Sequence, residues 1–293
     1  MNINHSGELI MGLAVDMTLE TLKPFFLSLE KTGYRGDVCL FVSGLDAGTL
    51  KFLRARKVSL VPFQKAFTKP LWAKLVGITR PFMARNQADQ LEELTAISCI
   101  HPQDARHWFY RNYLDKCGDN YDRILLTDIR DVLFQAAPFS FDMPNGLSVF
   151  LEDYSQTIGT CPSNSAWMRQ GLGDDVLKEL AEKPIICSGT ILGNKSALRN
   201  HSDQLFRICC RIKQKSFFDQ AAHNFILYKQ PPPYLHIFRN DSGPVLTMAH
   251  VKPEHLRFND SGLLVDVHGR VYNMLHQYDR HPMLAQRLVK TLT

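Results

Sequence analysis

Between Glu8 and Phe63 the chain alternates apolar strands with amphipathic helices, and few folds accept that order. Glu8–Val15 is an apolar run closed by Asp16. Thr18 to Lys31 then sets Leu19, Leu22, Phe25, Phe26 and Leu29 at helical spacing, with Thr18 as the capping residue and Gly33 as the stop. Asp37–Ser43 reads as a second strand, Asp46 to Arg56 as a helix, and Val58 to Phe63 as a third strand. Strand, helix, strand, helix, strand in so short a stretch predicts a parallel, doubly wound sheet. Ala14 to Met17, at the end of the first strand, carries no glycine fingerprint, which disfavours a dinucleotide-binding domain.

The length of 293 residues suits one large domain or two intimate ones, and the 45% apolar content is that of an ordinary globular protein. A net charge of +5 suits a small anionic substrate and lacks the dense basic patch that nucleic acid demands. Seven cysteines are scattered without metal-type spacing and read as core thiols in a reducing compartment. The N-terminus lacks the pattern of a signal peptide, and no apolar run reaches membrane-span length. The expected location is cytoplasmic. Residues 64–86 are basic and broken by Pro70 and Pro81. They read first as a solvated helix over one sheet face, and second as a flap or a peripheral membrane contact for a lipid-linked acceptor.

Tyr121 to Gln135 carries the chemistry. A short strand, Arg123 to Leu126, stops on Thr127 and offers two carboxylates, Asp128 and Asp131. Acids at the carboxyl end of a buried strand sit at the mouth of an open α/β sheet, where ligands bind. Two acids this close repel unless a cation or a basic group lies between them. A divalent metal is the natural cation, and a diphosphate is what it would hold. The plainer alternative is a capping acid with an ion pair to Arg123 or Arg130.

This run resembles the aspartate motif of the GT-A glycosyltransferases, enzymes that use nucleotide sugars on a Rossmann-like sheet. Their usual Asp-x-Asp is here Asp128-Ile129-Arg130-Asp131, so Arg130 stands where the second acid usually stands. Which acid ligates the metal therefore stays open. Gln103 to Lys116 reads as a helix leading into the central strand. Arg111 on it precedes Asp128 by about the interval seen in sequences resembling glycosyltransferase family 8, which implies that Arg111 reaches the donor; Arg106 is the reserve.

Other segments follow the same motif order. Gly146 to Leu151 is a strand ending on Glu152 and Asp153, acids suited to bind the acceptor or supply a base. Residues 154–175 form a polar loop with a short helix near Ser165 to Arg169. In Ile185 to Gly193, the small residues Ser188, Gly189 and Thr190 break a strand, as a ligand-approaching backbone or a tight β-bulge would. The segment resembles the one beside the donor sugar in family 8-like enzymes. Ser196 to Lys213 is an amphipathic helix. Asp219-Gln220-x-x-x-Asn224 matches the pattern found downstream of the aspartate motif in such enzymes, and a carboxylate and amides at a helix start would hold sugar hydroxyls. Residues 230–293 read as a meander of hairpins packed on the main sheet, closing on a terminal helix from Met283 to Leu292. Many GT-A enzymes take a third metal ligand from a late histidine; His276 fits first and His281 second, with Arg280 suited to a diphosphate clamp.

The resemblance thus implies a mostly parallel α/β sheet of GT-A type flanked by helices, in a single domain over 1–293. Residues 1–135 form the nucleotide-binding half, and 136–293 the acceptor-binding half with the metal-ligand segment. It implies a metal-dependent hexosyltransferase that moves sugar from a nucleoside diphosphate sugar (UDP-sugar before GDP-sugar) to a hydroxyl of a glycan or glycoconjugate, with retention of configuration favoured by the resemblance and inversion, with Asp153 or Asp219 as the base, left open. Asp128, Asp131 and His276 hold Mn2+ or Mg2+. Asp128, Arg111, Arg130, Ser188, Gly189, Thr190 and Ala14 face the donor, Asp219 and Gln220 are catalytic, and Glu152, Asp153 and Asn224 face the acceptor. The alternatives are a catalytically silent carbohydrate- or nucleotide-sugar-binding protein and a sugar nucleotidyltransferase, though the latter wants a glycine-rich loop after the first strand.

Overall fold

The computed structural model describes residues 7–63, 90, 100–117, 120–210 and 218–293. The basic insertion 64–86, and the expectations attached to it, lie outside them. In β1 (Glu8–Val15) alternate residues part to opposite faces. Leu9, Met11 and Leu13 enter one apolar cluster, Ile10 and Ala14 the other. A strand buried on both sides needs helices on both sides. α1 (Leu19–Lys31) and α2 (Ala47–Ala55) cover the Ile10 face with Leu22, Phe25, Phe26, Leu29 and Leu53. Their starts are capped by Thr18 and Asp46, whose side chains accept from Thr21 N and Thr49 N. α3 (Pro102–Lys116) covers the Leu9 face with Ala105, Phe109, Tyr110 and Leu114.

β2 (Asp37–Ser43) and β3 (Ser59–Pro62) extend the sheet on one side of β1, and β4 (Arg123–Thr127) pairs on the other, all parallel. β7 (Ile186–Gly193) runs antiparallel to both β4 and β6 (Leu147–Leu151), and β8 (Leu235–Phe238) closes the edge parallel to β6. The order is β3-β2-β1-β4-β7-β6-β8, the mostly parallel α/β sheet that the first 63 residues imply. β7 is bulged: Val149 pairs with Ile191, yet Phe150 pairs with Cys187. The extra chain between those pairs, Ser188 to Thr190, bows out of the β6 ladder.

A second, three-stranded sheet lies beside the first. β5 (Val132–Phe134) pairs antiparallel with β12 (Met274–His276), which pairs parallel with β9 (Val245–Thr247). α1 fixes it: Phe134 N donates to Ser28 Oγ at 3.2 Å, and Phe25 meets Phe134 edge-on at 5.0 Å. The tail does pack on the main body, but the sole hairpin among its described strands is β10 (Arg257–Phe258) with β11 (Leu264–Val265). Of the three expected turns, Asn259–Gly262 joins these two strands, and His268-Gly269 closes a single antiparallel bridge between Val265 and Val271. The long connection from β9 to β12 works as a crossover, which is what a parallel pair requires. The polar loop after Asp153 also holds more helix than its composition suggests. α4 (Pro162–Leu172) starts on a proline in its first turn, and Gly173, at φ +97, separates it from α5 (Asp174–Leu180).

α6 (Lys195–Cys209) and α7 (Asp219–Lys229) complete the layer over the Leu9 face. Asn224 pins α7 to β7. It is fully buried, its Oδ1 accepts from Ile186 N at 2.9 Å, and its Nδ2 donates to Ile186 O and Gln220 O, both at 2.9 Å. This amide therefore serves the fold, where the sequence pattern suggests an acceptor ligand. Asn224→Ala would strand Ile186 N, leave Ile186 O with Gln220 Nε2 alone, and lower stability by about 1–3 kcal/mol. Urea unfolding should show this as a lower midpoint with an unchanged slope.

Candidate active site

The carboxyl ends of β1 and β4 open onto a cleft of about 720 Å³. Beyond Thr127 the chain turns inward. Ile129 packs over Gly12 so closely that a Cβ there would lie 2.3 Å from Ile129 Cδ1. That contact sends Asp128 and Asp131 into the cleft. β5 then pairs with β12 in a register that sets His276 opposite Val132, and Gln277 N donates to Asp131 O at 2.8 Å. The late histidine is thereby delivered to the two acids. His276 Nε2 lies 3.5 Å from Asp128 Oδ2 and 3.8 Å from Asp131 Oδ1, and one ligand atom from each of the three residues falls within 4.8 Å of the others.

Three features fit these residues to a divalent cation. The donors are two carboxylates and an imidazole, an oxygen and nitrogen set suited to such ions. His276 Nε2 is buried without a hydrogen-bond partner. Gly189 borders the gap, where a Cβ would stand 2.5 Å from His276 Nε2 and 2.7 Å from Asp128 Oδ2. Without a cation, the site balances its charge through its own protons. Burial pushes the Asp131 carboxyl up and Asp128 adds to it, against His276 and Arg130. Burial opposes a charged His276 too, but the Cys187 sulfur and the two acids outweigh it and hold the imidazole well above its ordinary value.

Arg106 organises the next layer. Its Nη1 contacts Asp128 Oδ1 at 2.5 Å, and its Nη2 donates to Asp219 Oδ2 at 2.6 Å and to Ser188 O at 3.2 Å. Burial alone would neutralise Asp128 and Asp219, yet Arg106, with His276 beside one and His107 beside the other, keeps both below the usual carboxylate range. Asp104, one turn before His107 on α3, accepts from Phe218 N and Asp219 N at 2.8 and 2.9 Å and so caps α7 from outside. Gln220 is spoken for: its Oε1 accepts from Ser188 N at 2.7 Å, and its Nε2 donates to Ile186 O and Glu152 Oε1, both at 3.2 Å.

The far wall holds Glu152, His250, Cys161, Asn164 and Trp167. Glu152 follows β6 and is buried, with His250 Nε2 3.7 Å from its Oε2. Burial pushes its carboxyl up to about 7, against the pull of His276 and Gln220. Near neutral pH it can therefore hold or release a proton.

The structure brings together Asp128, Asp131, His276, Arg130, Arg280, Ser188, Gly189, Asp219, Gln220 and Glu152 along one cleft. Five expected residues lie elsewhere, besides Asn224. Arg111 pairs with Asp203 on α6 at 2.8 Å. It lies five residues beyond Arg106, about 140° around the helix, so the two cannot face one ligand. Ala14 is sealed in the core by β1 alternation, and its neighbours Leu13, Val15 and Asp16 line the cleft in its place. Thr190 is fully buried beside β4. Asp153 turns away to accept from Ser155 N at 2.9 Å and borders a separate groove with Tyr154. His281 bonds Met248 O at 2.8 Å and is not among the clustered ligands. His250, Cys187 and the α4 wall carry no motif in the sequence; Pro162, a helix-start signal, is the one clue to the last.

Two outcomes test this geometry. Gly189→Ala should leave a folded protein that has lost divalent-cation binding, as read by calorimetric titration. For Glu152, burial favours the protonated form. Its stabilising contribution is whole below about pH 4.5 and drains away as pH rises through 7, on the order of 3 kcal/mol in all. Isosteric, uncharged Glu152→Gln should thus gain stability over the parent across that window and run parallel to it outside, in metal-free denaturation curves taken from pH 4 to 9.

No family profile and no curated protein sequence matches this chain. Among solved structures it is similar to galactosyltransferase LgtC, a family 8 enzyme crystallised with donor and acceptor sugar analogs, at 13% identity and a TM-score of 0.52. The match covers 97% of this chain and 95% of that one. At that identity the likeness speaks for architecture alone. No described helix is long and apolar enough to cross a membrane. In its described residues the chain has the GT-A fold.

Proposed function

We propose that this protein is a metal-dependent glycosyltransferase. It moves a sugar from a nucleoside diphosphate sugar, UDP-sugar before GDP-sugar, to a hydroxyl of a glycan or glycoconjugate. The observation that carries this reading is the convergence of Asp128, Asp131 and His276 at the mouth of a GT-A sheet, with a buried imidazole nitrogen left unbonded. Support also comes from LgtC, a galactosyltransferase that binds donor and acceptor sugar analogs.

In this reading the three residues hold Mn2+ or Mg2+, and the cation supplies Lewis acidity to a leaving diphosphate. Arg130 and Arg280 line the cleft next to Asp131, with guanidinium nitrogens 3.2 and 3.9 Å from its Oδ2. They offer fixed charge to the phosphates. Arg106 keeps Asp219 ionised against the sugar side of the cleft, where a carboxylate steadies developing positive charge. Gln220 acts by fixing Ser188 and Glu152, since its amide is already bonded to both. Glu152 faces the acceptor end and orients the incoming hydroxyl. Retention of configuration, the outcome suggested by the family 8 resemblance, asks for no stronger base than this.

Thermal shifts with UDP, GDP and their sugars, with and without Mn2+, test the reading. A saturating nucleotide should raise the melting temperature by about 5 °C only when Mn2+ is present. Asp131→Ala should abolish that Mn2+-dependent rise, and slow Mn2+-dependent release of free sugar should accompany it in the parent. A rise that survives in Asp131→Ala, or nucleotide sugars that all stay intact, would sink the assignment.

A further inference from the structure

Cys187 lies in the floor of the cleft at 2% exposure, and the proposed chemistry gives it nothing to do. Its sulfur is 3.2 Å from His276 Nδ1, and Gly189 N–H donates to the same sulfur at 3.4 Å. The other ring nitrogen, Nε2, faces the two acids and has no hydrogen-bond partner. A neutral imidazole carries a single proton, and its position decides whether Nε2 can ligate. A thiol proton pointed at Nδ1 would put the ring proton on Nε2 and block it. A ring proton on Nδ1, pointed at sulfur, leaves the Nε2 lone pair free. Gly189 N–H already uses the sulfur as an acceptor, which favours the second arrangement. The β7 bulge makes this meeting possible. Cys187 stays in register with Phe150 and Thr190 with Thr127, while the chain between them bends to bring both the sulfur and the Gly189 amide against one ring.

We propose that Cys187 is the positioning residue of the cation site: its sulfur accepts the Nδ1 proton of His276 and fixes the ring with Nε2 toward Asp128 and Asp131. The proposal rests on the cation site described under the proposed function. It asks the thiol to act through His276 and not to touch the metal. Ligating histidines almost always spend their second nitrogen on an outer partner, and losing that partner typically weakens metal binding by about 10–100-fold.

The test compares the full chain with Cys187→Ala, Cys187→Ser and Asp131→Ala. Mn2+ affinity is read by calorimetry and by loss of the free Mn2+ resonance signal; circular dichroism of the metal-free proteins checks folding. Cys187→Ala should bind Mn2+ about 10–100-fold more weakly than the parent. Cys187→Ser, which restores an acceptor, should recover most of that loss, and Asp131→Ala should not bind. If the parent binds Mn2+ and Cys187→Ala binds it equally well, the role of Cys187 is overturned while the cation site stands. If the parent binds no Mn2+, both fall. Nitrogen-15 spectra of the histidines in the Mg2+-loaded parent give a reading that needs no variant. A proton on Nδ1 of His276 is expected, and a proton on Nε2 would refute the proposal.

Discussion

The pairing of β5 with β12 is the constraint on which the site depends. It spans three residues on each strand, yet it joins positions more than 130 residues apart in sequence. The ladder is antiparallel, so the end of β12 lies beside the start of β5, and the start of β5 is where the aspartate turn ends. His276 therefore arrives opposite Val132 and next to Asp131. The backbone bond from Gln277 N to Asp131 O locks the same register one step further. A slip of one residue would turn His276 to the other face of the small sheet. α1 guards against that slip, because Ser28 and Phe25 grip Phe134 at the far end of β5.

Arg106 is the second fixed point, and its energetics differ. A guanidinium buried to 4% exposure among three acceptors is held at a large desolvation cost. The pairs with Asp128 and Asp219 offset that cost; removing Arg106 would leave two buried carboxylates without their shared cation. Such a group adds little net stability but permits few arrangements. It ties α3 to the end of β4 and to the start of α7, and it occupies Asp128 Oδ1 so that Oδ2 faces His276. The geometry of the Asp128–Asp131–His276 cluster and that of the Asp219 wall are thus set by one side chain.

Much of this was legible in the residues, for reasons that also mark where legibility ends. Asp128, Asp131 and Glu152 follow apolar strands, and a strand end points to the sheet mouth whatever the rest of the chain does. His276 could be picked because it also closes a strand. Spacing to the aspartate motif favours Arg111 over Arg106, but spacing cannot say which face of a helix meets the sheet. That phase is settled by Phe109, Tyr110 and Leu114, which go inward together. Asn224 reads as a ligand because amides bind sugars, but the backbone of Ile186, next to the β7 bulge, takes those same bonds. The parallel course of β9 and β12 was invisible for a related reason: turn residues report where the chain bends, not which strand it bends back to meet.

The spacing of the aspartate motif has a physical explanation in this chain. Residue 130, where an acid usually stands, is an arginine with a half-exposed side chain, and the second carboxylate comes one position later. Ile129 is the cause. It is buried to 1% and seats on Gly12, which offers no side chain to resist it. With Ile129 pinned inward and Asp128 N bonded to Gly189 O at 2.8 Å, the turn must carry residue 130 outward before β5 begins. Asp131 then comes back under the turn, within reach of His276. The outward arginine folds over it, with Nη2 3.2 Å from Asp131 Oδ2 and 3.5 Å from Asp279. Moving the acid by one position thus keeps two carboxylates beside His276 and adds a guanidinium on the rim of the cleft, which suits the proposed diphosphate.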